Sequence, residues 1–296
     1  AGKENQQTAS IAIGYLSGQT NQNTYSIGLG TQAAFTGQSS YSIAIGAEAG
    51  KFNQYGSSIA LGYRTGYTAQ NTNAVAIGRE AGKTSQGADT ISIGNYLDSA
   101  NDGQQNQGTS AISFGRNAGK YDQGINSIAM GLQSGFEDQS QSSIAIGLRA
   151  GYIKQGVQGN FGNRGDAIAI GVDAGQTNQQ RRTIAMGLSA GKINQHFSSV
   201  AIGYEVAMED QQSNSLAIGL RAGYKNQGQN SIALGFYAGY ENQGTTSIAI
   251  GNRAGEVDQK ENTIILNANN TALNSEDKSR FYVKPIRNTD TQDTFL

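Results

Sequence analysis

Sixteen residues separate each "SIAIG"-like segment from the next along most of this chain, as in "SIALGFYAGYENQGTT" (231–246) followed by "SIAIGNRAGEVDQKEN" (247–262). We number the Ser of each segment place one. The glycine at place five then recurs from Gly14 to Gly94, and after one slip from Gly115 to Gly147. After a second slip it runs from Gly171 to Gly251. Places two and four are aliphatic, as in Ile43 and Ile45 or Val200 and Ile202, which is the strand period of two. A fixed period of this length means a solenoid, in which coils stack and the core grows without a second domain.

Place three is small throughout the repeats: Ala44, Ala60, Ala76, Ser92, Ser113 and Ala201, with Gly28 once. On a strand it points away from places two and four, so the sequence predicts a second surface packed closely on that side, read as the contact between chains. Asn267 replaces the place-five glycine in the last unit. Asn tolerates positive φ better than most residues, so the expectation is a left-handed turn there. The second glycine, of "AG", gives way to Ala34 and Ala207, and is expected to serve close approach rather than dihedral freedom. Two short strands per coil, joined by tight turns, follow.

Place thirteen is a glutamine in coil after coil, including Gln54, Gln70, Gln195, Gln227, Gln243 and Gln259. Identical places lie above one another in a solenoid, so these amides should either form a hydrogen-bonded ladder or satisfy backbone groups of their own turns. Both are structural roles, preferred here over a ligand-binding row.

Composition narrows the function. Of 296 residues 41 are Gly, only 15% are charged and the formal net charge is −1. Glycine at this level disfavours helices, and no basic field exists for nucleic acid. There is no Cys and no apolar run long enough to cross a bilayer, and no signal peptide is visible in the opening residues. The chain opens inside a coil, "AGKENQQTA" aligning with "AGKFNQYGS", which suggests a fragment or processed product. No cofactor, metal or catalytic residue is expected. His196, the only histidine, sits in a variable turn, and the acidic residues are scattered singly.

The "SIAIG…AG" units resemble the head repeats of trimeric autotransporter adhesins of the YadA type, over about residues 1–266. The resemblance implies a left-handed parallel β-roll, homotrimers with small residues toward the axis, and adhesion. The unit here is sixteen rather than about fourteen residues, and residues 267–296 do not read as a coiled-coil stalk or membrane anchor. The stretch "TIILNANNTALNSEDKSRFYVKPIR" is similar to the segment that closes such repeats in fibre proteins of phages and large DNA viruses, ahead of an endosialidase-type intramolecular chaperone. That likeness implies a cleavage point near Leu296. Residues 267–296 are expected to cap the last coil, with "RFYVK" as a strand, and to interlock three chains.

Recognition is left to the variable places. Place ten alternates aromatic and basic residues, including Tyr67, Tyr152, Tyr224 and Tyr240, which could stack on sugar rings or shield the turn edge. Insertions lengthen the coils near 95–108 and 156–166. The second contains Phe161 and the tripeptide Arg164-Gly165-Asp166. The resulting expectation is an all-β, homotrimeric, extracellular fibre or adhesin head, on a cell surface or virion. It would attach to a glycan or protein on a host or prey cell, and a purely structural spacer is the alternative.

Overall fold

The computed structural model describes residues 1–94, 104–157 and 165–286. The strand elements are parallel, and no helix occurs among the described residues. The chain divides into two compact units, Ala1–Thr183 and Ile184–Leu296. Each is a parallel β-solenoid with a coil of about sixteen residues.

In the first unit, strands at places two to four pair in register, Ile11 with Ile27, Ile27 with Ile43 and Ile43 with Ile59. A second sheet is built from places eleven to thirteen, Thr20–Gln22 pairing with Thr36–Gln38 and onward to Glu137–Gln139. The second unit repeats the plan, with Ile184–Met186 on Val200–Ile202 and Ile193–Gln195 on Glu209–Gln211. Hydrogen bonds continue around the turns, so Gly18 N–H meets Ala33 O at 3.0 Å and Asn23 N–H meets Gln38 O at 2.9 Å. Each coil thus uses its neighbour to satisfy turn backbone that water would otherwise serve.

Four corners bend each coil through positive φ besides place five. Places seven, twelve and sixteen do so with ordinary side chains, as at Arg221 (φ 51°), Asn242 (φ 56°) and Asn230 (φ 55°). The hydroxyl of place one fastens the last corner, Ser231 Oγ donating to Gly228 O at 2.6 Å, and the same bond recurs at Ser42, Ser58 and Ser215.

The interior differs from the sequence expectation. The place-three side chains face into their own coil: Ala44, Ala60, Ala129, Ala201 and Ala233 have no exposed surface. They meet the alanines of places eight and nine, Ala33, Ala34 and Ala49 forming one cluster with Ala44 and Ala60. The two walls of the coil lie close together, and a Cβ added to Gly50 would sit 3.1 Å from that of Ala44. The contact between chains read into place three is therefore corrected to an internal contact. The aliphatics of places two and four point outward instead.

Two glycine expectations also change. Asn267 lies in the strand Ile264–Asn267 and is not at positive φ. Its amide donates to Asn252 O and Thr271 O, both at 2.7 Å. The "AG" glycine is left-handed, φ 55° at Gly239, and Ala34 and Ala207 keep that conformation at φ 49° and 46°. Dihedral and close approach both operate there.

Past Asn267 the chain leaves the period and lies along the final coil. Gly255 N–H bonds Leu273 O at 2.7 Å and Lys260 N–H bonds Ser275 Oγ at 2.7 Å, before Phe281–Lys284 pairs in parallel with Ile264–Asn267. The expected strand in "RFYVK" is present. Ile265 occupies place three in this coil and is fully buried.

Candidate functional site

The glutamine column is buried, Gln243 being 3% exposed and Gln195 0%. Both expected roles are filled at once. Gln243 Nε2 donates to Ile232 O at 2.8 Å within its own turn and to Gln259 Oε1 at 3.1 Å in the next coil. In the second unit the ladder runs unbroken from Gln195 through Gln211, Gln227 and Gln243 to Gln259. In the first unit it links Gln22, Gln38, Gln54 and Gln70.

Further along, Gln86, Gln107 and Gln123 keep their backbone bonds, but their Oε1 atoms are buried without a partner. At that level the interior is shared with Gln104, a place-ten residue turned inward and fully buried. Gln104 Oε1 accepts from Gly82 N–H at 3.0 Å, the donor that in other coils reaches a place-eight carbonyl, as Gly66 N–H reaches Ala81 O. It also accepts from Ser92 Oγ, while its Nε2 donates to Ser113 Oγ at 2.9 Å. Ser92 and Ser113, the two serines of place three, are thus explained by Gln104. Sequence reasoning placed this stretch in a loop, although Gln105–Gln107 already pairs in register with Thr84–Gln86. The pairing of Ser92 with Ser113 across adjacent units was the available signal.

The turn between places seven and ten carries rings and charges. In the first unit Lys51 Nζ lies 5.3 Å from the rings of both Phe52 and Tyr67 and 3.4 Å from Glu48. Arg64 binds Glu48 at 2.7 Å. Burial alone would push the Glu48 carboxyl up, but Arg64 and Lys51 outweigh it and hold the carboxyl below its ordinary value. Tyr152 stacks on Phe136 at 4.9 Å. Rings and cations at place ten thus pack against one another between neighbouring coils.

The second unit concentrates the rings. Tyr224 and Tyr240 stack at 4.9 Å, Tyr240 and Tyr237 at 4.7 Å, and Phe236 leans on Tyr237 at 4.5 Å. Arg221 is fixed among them, its Nε 2.7 Å from Glu205 and its Nη1 donating to the Tyr237 hydroxyl at 2.7 Å. These bonds raise its pKa. Burial, with the neighbouring Tyr224, pushes the Tyr240 phenol up as well. Tyr67, Tyr152, Tyr224 and Tyr240 are each half-buried.

Phe161 and Arg164 lie outside the described residues, as do 95–103 and 158–164 of the two insertions. Asp166 is exposed at φ 53°, holding the place-sixteen corner with its N–H on Gln141 O at 3.2 Å. His196 is half-buried in its turn, its carbonyl accepting from Ser199 Oγ at 2.5 Å.

The outward aliphatics form a surface feature of their own. Ile13 is 58% exposed and Phe114 51%, and Leu29, Ile45, Met130 and Ile146 continue the column in the first unit. Met186, Leu234 and Ile250 do the same in the second, and Ile264, in the neighbouring place-two column, is exposed as well. In-register stacking makes each a continuous apolar strip, unlike the scattered single residues of an ordinary surface. Comparison of the chain with protein-family models and with curated proteins finds no match.

Proposed function

We propose that the chain is the repeat region of a homotrimeric, non-enzymatic fibre or adhesin head, displayed on a cell surface or virion, which attaches to a glycan or protein on another cell. The observation that carries this reading is the apolar strip of places two and four. In one chain it leaves the place-four column largely exposed and the place-two column half-buried, and burying them against identical columns of other copies removes that cost. The likeness of the "SIAIG…AG" units to YadA-type head repeats adds the number three and the left-handed sense. Residues beyond Asn267 would interlock the chains, with any cleavage near Leu296 freeing the product.

Light scattering on the purified chain should give the mass of three copies. Leu234→Lys combined with Ile250→Lys should lower it to one copy while the β-type circular dichroism persists. A single-copy mass for the parent chain at micromolar concentration would falsify the trimer. Attachment is read separately, by retention of labelled chain on whole cells. A trimer that no cell type retains is a spacer, and the attachment reading then fails.

A further inference from the structure

The ring cluster of the second unit has features that packing alone does not require. Phe236 is 46% exposed, and Tyr204, two coils earlier at the same place, is 48% exposed. A ring that served only to seal the turn would be covered. The Tyr237 hydroxyl is spent on Arg221, whereas those of Tyr224 and Tyr240 bond no group among the described residues and remain free to donate and accept. The cluster is also held stiff before any ligand arrives. Stacking fixes the rings, and Glu205 and Tyr237 fix the Arg221 guanidinium from two sides, which reduces the ordering cost of binding.

Charge separates the ligand classes. Arg221 is matched by Glu205 at 2.7 Å, and Arg253 by Glu256 at 3.5 Å. Among the described residues of this cluster no unmatched guanidinium is left to select a sulfate or carboxylate. Rigid exposed rings, free phenols and balanced charge together suit a ligand with an apolar face, a rim of hydroxyls and no charge. Successive coils rise by about 4.8 Å, close to the length of one pyranose residue in an extended glycan.

We propose that this edge is a binding site for a neutral pyranose glycan. The apolar face of one sugar sits on Phe236, and the sugar hydroxyls bond the phenols of Tyr224 and Tyr240 and the outer nitrogens of Arg253. The proposal deepens the attachment reading and rests on it for its biological setting.

The test applies the full chain to an array of neutral gluco-, galacto- and mannopyranose oligosaccharides, with sialylated and sulfated counterparts and proline-rich peptides alongside. Retention is expected on one or more neutral glycans. Phe236→Ala should weaken it about tenfold, the effect of one central aromatic contact. Tyr240→Phe, which keeps the stack and removes only the hydroxyl, should weaken it severalfold with unchanged melting. Tyr63→Ala, an exposed ring of the first unit, should change nothing. Retention of only charged glycans or only peptides overturns the proposal, as does full binding by Phe236→Ala or no retention at all. Whole-cell retention of the same variants keeps the two readings apart. Cells held equally by parent and Phe236→Ala leave attachment standing and this edge refuted, whereas cells held by neither chain, with an empty array, refute both.

Discussion

Gly235 and Gly239 stand in one coil under different constraints. Gly235 has φ 129°, and a Cβ there would lie 2.6 Å from the carbonyl oxygen of Gly251 in the next coil. Backbone meets backbone, and neither can withdraw. Gly239 has φ 55°, and its added Cβ would press on the Gln243 amide, the end of a movable side chain. Ala already stands at that place in two coils. Gly235→Ala should therefore cost well over the ~1–3 kcal/mol of a strained dihedral alone, and Gly239→Ala about 1 kcal/mol, as denaturant titration would show. Gln243→Ala removes the amide donor that reaches the Ile232 carbonyl beside its strand pairing, and breaks two rungs. A loss of about 1–3 kcal/mol is expected, read as a lower melting point with surface retention unchanged. Lost retention with unchanged melting would return Gln243 to a recognition role.

Among the elements, the inserted coil of the first unit shows what a pattern can hide. Gln104→Ala removes an acceptor for Gly82 N–H and a donor for Ser113 and Gly119 O, so destabilisation of about 1–3 kcal/mol is expected from thermal melts. The Glu48–Arg64 contact gives a pH signature. Its folded pKa is depressed, so its stabilisation is full above the ordinary value of 4.5 and is lost as the pH falls through the folded value. Glu48→Gln should flatten that part of the acid melting profile. Period, strand pairs, glutamine column and closing strand were all legible, because stacking repeats any role that every coil must fill. The direction of place three was not. Alternation tells which residues share a face, and the usual assumption that the larger ones point inward fails when the interior is filled chiefly by Ala and an amide. The ring cluster was half legible: Tyr224 and Tyr240 stood out at place ten, but Arg221, Phe236 and Tyr237 come from neighbouring places whose variation concealed them.

On the scale of the whole molecule, each unit is a sum of nearest-neighbour contacts. Excising residues 215–230 from the second unit joins place sixteen to place one and preserves the strand register and the glutamine ladder, at the loss of the side-chain contacts of Arg221 and Tyr224. It should shift the melting point by only a few degrees, whereas excising 215–222 should abolish the cooperative transition. Ending the chain at Asn267 uncovers the backbone donors of Gly255 and Lys260, which the following segment now satisfies. A bare strand edge recruits other strands, so concentration-dependent association is expected by sedimentation. The unbroken amide ladder of the second unit has one more consequence. From Gln195 to Gln259 every Nε2 points toward the higher-numbered coil and every Oε1 toward the lower. The amide dipoles therefore add where those of neighbouring peptide groups in a strand largely cancel. The unit carries an electric axis along its stack, negative toward Gln195 and positive toward Gln259. At the positive end Thr263 Oγ1 receives the last amide at 3.1 Å. No single amide can turn over without opposing its neighbours, so the column is set in one sense as a whole, and its polarity is as much a product of the repeat as its strands are.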